Sequence, residues 1–305
     1  MATAQSDLAA KLVHENRFRR WGEQFARSLA QRAGRDAAAG LVTPVAGVAS
    51  EMVRAQLREH FDLVMAEFSV LITDQLPQDL RPGDQERGLI RNHLEREATE
   101  RSDSVAALHV ETAQGFVTRA IRRAEAAAQA GEPMSMAERG QLVASSVLVN
   151  ERASAVRLAA SETQWAAERA KAIEVAVLLG QDGTVRKQDA LVAQALKTWR
   201  SQGDSRVRTP PDSRFDHLFV DGQKVATDEP FTVSGERLLH PGDTSLGASS
   251  GNIVRCRCSA IYDVESVVEL RRQFVESIFR DAPGPFSPTE SDLIIGRPFD
   301  ANEPE

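Results

Sequence analysis

The sequence predicts an α+β protein, with a mostly α-helical N-terminal region followed by a small turn-rich module that contains β-strands. Two observations predict it. Alanine is abundant from residue 2 to residue 195 while aromatics make up 5% of the chain, with a single tyrosine, a balance that favours helices packed through small side chains over an all-β sandwich. From about Ala195 onward glycine and proline become frequent, alanine drops, and short β-prone runs alternate with turn signals. A chain of 305 residues with 42% hydrophobic content can build one large domain or two modest ones.

The helical region reads as a series of apolar stripes. Leu8 and Leu12, then Phe18, Trp21, Phe25 and Leu29, recur at spacings of three and four along one helix face, and Gly34 and Gly40 weaken the helical pattern after Leu29. Val53, Leu57, Phe61, Val64, Phe68 and Leu71 form the cleanest stripe, with Pro77, Pro82 and Gly83 marking the break after it. A weaker stripe runs through Ala106, Val110, Ala113, Val117 and Ile121 until Gly131 to Pro133 interrupts it. Leu142 to Leu179 reads as one or two further helices, and Gly180 to Gly183 as a turn. Burial is the ordinary cause of such stripes, so they predict core or helix-partner seams.

In the second region, Asp221-Gly222 between Phe219-Val220 and Lys224-Val225 predicts a type I′ hairpin, because both central residues of that turn need positive φ. Phe231 to Val233, Ser234-Gly235 and Leu238-Leu239 predict a second hairpin, ahead of the turn-rich stretch Pro241 to Gly251. Asn252 to Tyr262 reads as a strand with Val254, Cys256, Cys258 and Ala260 on one face and Arg255 and Arg257 on the other. Asp263 can cap a helix through Val267, Leu270, Phe274 and Ile278 that stops before Pro283, and the remaining residues, rich in proline and acid, predict a flexible tail or docking peptide.

Composition excludes several functions. Lys and Arg total 37 against 44 Asp and Glu, a formal charge of -7, so the protein as a whole is not a basic coat for nucleic acid. Residues 195–262 carry nine Lys or Arg against eight Asp or Glu, which limits DNA contact to a weak one. No P-loop, zinc ribbon or paired metal-binding carboxylate motif appears, which sets aside packaging-ATPase and nuclease readings. No apolar run approaches the roughly 20 residues of a membrane span, and Met1 to Gly22 lacks the apolar run of a signal peptide, predicting a protein made and kept in a cytoplasm with no membrane partner. Cys256 and Cys258, one residue apart, cannot staple distant segments.

Lys197-x-Trp199, Asp204-Ser-Arg206-Val-Arg208, His217, Asp221-Gly222-Gln223, Pro230-Phe231, Pro241-Gly242-Asp243 and Cys256-Arg257-Cys258 stand in a recognisable order, with Ala160-Ser161-Glu162-Thr163 upstream. This string resembles the phage head morphogenesis domain of the Mu protein F-like minor head proteins, over about residues 140–262. Two departures stand out. Thr209 to Asp216 separates the Arg-Val-Arg run from His217, and Arg255 precedes the Cys-Arg-Cys where the family has asparagine, with Asn252 displaced upstream. The resemblance places the morphogenesis domain at 140–262, and the residue pattern sets a helical, partner-ready region 1–139 before it and a C-terminal helix 263–282 and a flexible acidic tail 283–305 after it. It also implies a non-catalytic minor capsid protein of a tailed phage or prophage, assembled in the bacterial cytoplasm into the virion, with portal protein and also major capsid or scaffold protein as partners, and without a cofactor.

The same residues allow other chemistry. His217, His240, Cys256 and Cys258 would make a two-cysteine, two-histidine zinc set, although Cys-x-Cys lacks the usual gap, and the main reading is buried thiols with capping or surface histidines. Cys256 or Cys258 as nucleophile, His217 or His240 as base and Asp243 as orienting group would make an enzyme or a toxin-like effector delivered with phage DNA. Apolar neighbours on the sulfur face argue against a reactive thiolate there. Glu162, Asp204, Arg206, Arg208 and Arg257 are expected to form a buried charge network locking strand to helix, so that Arg257→Ala would cost about 3–5 kcal/mol.

Overall fold

The computed structural model of the protein describes residues 4–41, 48–130, 134–180 and 194–280. The predicted glycine breaks at 131–133 and 181–183, the end of the last helix beyond Arg280 and the tail 283–305 lie outside them.

Four long helices, α1 (Ala4–Ala38), α2 (Val48–Phe68), α3 (Asp84–Gln129) and α4 (Met136–Leu178), form the helical part. Cross-helix pairs fix their directions. His14–Glu67 with Arg17–Glu59, Arg54–Asp103 with Arg58–Thr99, Glu97–Arg169 with Arg101–Glu162, and Lys11–Glu168 with Gly34–Gly140 each step forward along one helix and back along its neighbour, so neighbours run antiparallel in an up-and-down bundle. The α2 stripe behaves as predicted, with Val53, Leu57, Phe61, Val64 and Phe68 all buried. Residues 142–178 are one helix, whose Ser135 cap accepts a hydrogen bond from Glu138 N while the Glu138 carboxylate accepts from Ser135 N.

Small residues bring α1 and α4 into close contact. The helix continues through Gly34 because that position faces Gly140. A Cβ on Gly34 would lie 2.8 Å from the Gly140 carbonyl oxygen, and one on Gly140 would lie 2.6 Å from that of Gly34. At the other end of the pair, the predicted stripe is shifted by one position. Asp7, Lys11 and His14 face inward, while Leu12 is 37% exposed.

The second part holds two small antiparallel sheets. β1 (Leu196–Arg200) lies between β2 (Lys224–Ala226) and β5 (Ser259–Tyr262), and β3 (Phe231–Val233) pairs with β4 (Glu236–Leu238). Between β4 and β5 lies a single helical turn, α5 (Ser250–Ile253), and α6 (Val264–Arg280) follows β5, with Ser266 N donating to the Asp263 carboxylate at its start. α+β is therefore the observed class.

Three local expectations need correction. The Asp221-Gly222 turn exists, but only Gly222 has positive φ, which fits a type II and not a type I′ turn, and β2 pairs with β1 instead of with residues 219–220. The I′ geometry belongs to Ser234-Gly235, where both φ are positive and join β3 to β4. The strand predicted from Asn252 to Tyr262 is a strand only from Ser259, because α5 and the left-handed Arg255 (φ 57°) turn the chain first.

The two parts are bolted together by buried charge. Glu168 of α4 accepts from Lys11 of α1 at 2.5 Å, from Lys171 at 3.0 Å and from the backbone N of Ala260 in β5 at 2.9 Å. Lys171 also donates to Asp7 and to the Ala260 carbonyl, and Lys11 to Ser259 Oγ. Burial opposes the Lys171 charge, but Glu168 and Asp7 outweigh it and raise its pKa. Arg271 of α6, 2% exposed, donates to the Leu178 carbonyl at 2.8 Å and pairs with Glu86 at 2.6 Å, joining the last helix to the ends of α4 and α3.

Candidate functional site

The motif residues converge in the second part. Trp199 of β1 is completely buried, its indole edge-on to the His217 ring at 5.7 Å and to Phe231 at 5.3 Å. His217 sits in the turn region after Phe215, held by a backbone hydrogen bond from its N to the Arg208 carbonyl. The Arg208 guanidinium in turn donates to the carbonyls of Asn252, at 2.9 Å, and Val254. These bonds pin the loop carrying the histidine against the segment carrying the cysteines.

His217 Nδ1 lies 3.6 Å from Cys256 Sγ and 3.5 Å from Cys258 Sγ. Its Nε2 is 2.7 Å from Asn252 Oδ1. The Asn252 amide is oriented by its own partners: Nδ2 donates to the Val233 carbonyl and to a Glu236 carboxylate oxygen, both pure acceptors. Oδ1 therefore faces the imidazole, so Nε2 carries a proton and donates to it, while Nδ1 faces both sulfurs.

Both sulfurs are shut in, with Cys256 3% and Cys258 2% exposed. The left-handed Arg255, not a continuous strand, sets their direction. Val254, expected on the sulfur face, instead lines a separate cleft. The hydrogen bond from the Cys258 thiol is the largest influence on Cys256 and holds it well below the ordinary thiol range against the opposing effect of burial, with His217 assisting. The same shared proton, together with burial, pushes Cys258 well above that range. Trp199 Nε1 is buried without a hydrogen-bonded acceptor among the described residues, and it faces Cys258, where it favours the thiolate.

The other predicted residues are dispersed around this cluster. His240 is buried elsewhere, its Nδ1 3.2 Å from the Pro241 carbonyl, so the four-ligand zinc set reduces to three among the described residues. Asp243 does not orient His217. It accepts from the backbone N of Leu239 and of Ser245, and although burial would raise its pKa, His240 and these bonds hold the carboxyl below its usual range. The Pro241-Gly242-Asp243 turn lies against α4, where a Cβ on Gly242 (φ 83°) would meet Gln164 Cγ at 3.1 Å. Gln164 Nε2 donates to the Cys258 carbonyl at 2.7 Å.

The expected charge network is not one network. Glu162 pairs with Arg101 of α3 at 2.7 Å beside the Trp165 ring, Arg208 binds backbone carbonyls, and exposed Arg206 donates its backbone N to Asp204. Arg257 pairs with Asp204 at 2.5 Å, but the two side chains are 23% and 40% exposed, so the pair is a surface bridge and not a buried lock.

Sequence reasoning named Lys197 within the motif string but not its role: the buried ammonium donates to the carbonyls of Thr227 and Leu239, and burial pushes its pKa down to about 8. It also missed the orienting role of Asn252. A second feature lies apart, a cleft of about 380 Å³ bordered by Arg101, His109, Arg157, Glu162, Thr244 and Val254. Cys256 and Cys258 line neither this cleft nor the other main one, beside Asp7 and Tyr262. No family model, curated protein or solved structure matches the chain.

Proposed function

We propose that the protein is a non-catalytic minor head morphogenesis protein of a tailed phage or prophage, acting near the portal during procapsid assembly in the bacterial cytoplasm and retained in the virion. The observation that carries the reading is convergence. Trp199, His217, Cys256 and Cys258, separated by up to 59 positions in the string that resembles the Mu F-like domain, form one buried cluster, with Lys197 and Asp243 building the loops around it. Residues that build one core together support reading the string as a single module. Closed sulfurs support a structural use of them.

The test keeps the full chain, because α1 lies along α4 and reaches β5, so removing residues 1–139 would strip the partner of α4. Procapsids are assembled from the portal, major capsid and scaffold proteins of a tailed phage or prophage whose genome carries this chain, with and without it. The chain should co-sediment with portal-containing procapsids and bind isolated portal. Normal infectious heads from a deletion, together with absence of the chain from purified heads, would overturn the proposal.

One observation favours a second reading. Thiol, imidazole Nδ1, imidazole Nε2 and the amide oxygen of Asn252 are arranged in the order of a Cys-His-Asn catalytic relay. Against it, both sulfurs compete for one nitrogen and both are closed to solvent. Turnover by this relay would require the 254–258 segment to open.

A further inference from the structure

We infer that His217 Nδ1, Cys256 Sγ and Cys258 Sγ are three ligands of a zinc-class divalent cation that ties the loops of the second part together. A metal of this kind goes beyond the assembly role and does not rest on it. Geometry carries it first. A tetrahedral zinc with Zn–N of about 2.0–2.1 Å and Zn–S of about 2.3 Å separates its nitrogen and sulfur ligands by about 3.5–3.6 Å. The two N···S separations here are 3.6 and 3.5 Å, and all three ligand atoms lie within 4.8 Å of one another.

The surrounding groups point the same way. A metal-binding imidazole needs its other nitrogen protonated and oriented by an acceptor, which Asn252 Oδ1 supplies while its own amide is fixed by Val233 and Glu236. The buried indole N–H of Trp199, otherwise without an acceptor among the described residues, gains one when Cys258 is a metal-bound thiolate. Two thiolates and a neutral imidazole give a divalent ion a net charge of zero, the arrangement least costly among Trp199, Phe231, Val233 and Leu238. Thiolate with imidazole selects zinc over calcium or magnesium, which take oxygen ligands. Metal binding replaces the two thiol protons, which leave to solvent.

The ligands belong to segments with little regular structure. His217 lies in the long connection between β1 and β2, and both cysteines lie between α5 and β5. A bound ion would join these connections directly, next to β1. The fourth position falls to a solvent molecule or other exogenous ligand, since His240 is occupied elsewhere.

The experiment uses the full chain, expressed with added zinc and purified without chelator. Elemental analysis should find one zinc per chain, and chelation should lower the melting temperature. Cobalt added to the stripped protein should produce an intense thiolate-to-cobalt charge-transfer band. Cys256→Ser with Cys258→Ser should abolish both the zinc and the band, whereas His240→Gln should keep both. Wild-type protein that is folded and metal-free, with no band on adding cobalt, would overturn the proposal without recourse to any variant. Loss of metal from folded His240→Gln would overturn the three-ligand assignment.

Discussion

The helical part and the second part reach a closed interior by opposite means. In the bundle, apolar stripes and small residues do most of the work, with Gly34 and Gly140 letting two backbones touch. In the second part the strands are three to five residues long, and polar side chains replace the missing ladders by bonding to backbone. Lys197 holds the carbonyls of Thr227 and Leu239, Arg208 those of Asn252 and Val254, and Asp243 the amides of Leu239 and Ser245. Long periodic segments can hide their backbone in helices. A module of loops must find a side chain for many of its buried backbone groups, and so places charged residues inside.

If that contrast is right, the group bridging both parts is the most sensitive. Glu168→Ala leaves Lys11 and Lys171 buried with only Asp7 as counter-charge and strips the Ala260 N–H, so urea unfolding should show a loss of about 3–5 kcal/mol. A loss under about 1 kcal/mol would mean that water reaches the network. Within the bundle alone, Gly140→Ala places a methyl 2.6 Å from the Gly34 carbonyl oxygen and 2.9 Å from Ala38 Cβ. The helices must separate, at a cost of about 1–3 kcal/mol in the same assay, despite the better helix propensity of alanine.

The bundle also contains one buried polar pair that is poorly satisfied. Both oxygens of Glu151 lack a hydrogen-bond partner among the described residues, and His109 Nε2 is 3.6 Å away. Burial pushes Glu151 up to about 7, with Arg157 opposing, and pushes His109 down to about 4. The signs oppose each other. Glu151, raised above its ordinary 4.5, contributes most at acid pH and loses that contribution as pH rises towards 7. His109, depressed below its ordinary 6.5, destabilises the fold as pH falls from 6.5 towards 4. Glu151→Gln removes the first effect, so the variant should gain about 1–2 kcal/mol relative to wild type above pH of about 7, and its stability should rise with pH below that. Equal pH profiles for the two proteins would show that Glu151 is solvated. The smallest effect belongs to the surface of the second part, where Arg257→Ala should cost about 0–1 kcal/mol because its bridge to Asp204 is partly exposed.

The same contrast explains what the sequence reveals. The α2 stripe could be read directly because its inward positions Val53, Leu57, Phe61, Val64, Met65 and Phe68 are apolar, with His60 the polar one among them. The start of α1 could not, since its inward positions are Asp7, Lys11 and His14, whose partners Glu168, Lys171 and Glu67 lie far along the chain and have no periodic signature. In the second part, Cys256, Cys258 and His217 were visible as residue types that carry chemistry. Asn252 was not visible as their orienting partner, because asparagine is common in turns for local reasons. Alternating burial from Arg255 to Cys258 mimics a strand, but a left-handed residue produces it.

The central claim is that Cys256 and Cys258 serve as closed structural groups. It is tested most directly by following their alkylation with a small thiol reagent in the native protein as denaturant is added, alongside tryptophan fluorescence. Labelling of both cysteines that rises only in step with the fluorescence transition is the predicted result. Rapid labelling of Cys256 in the fully folded chain would contradict it, since that outcome requires an accessible thiolate beside His217.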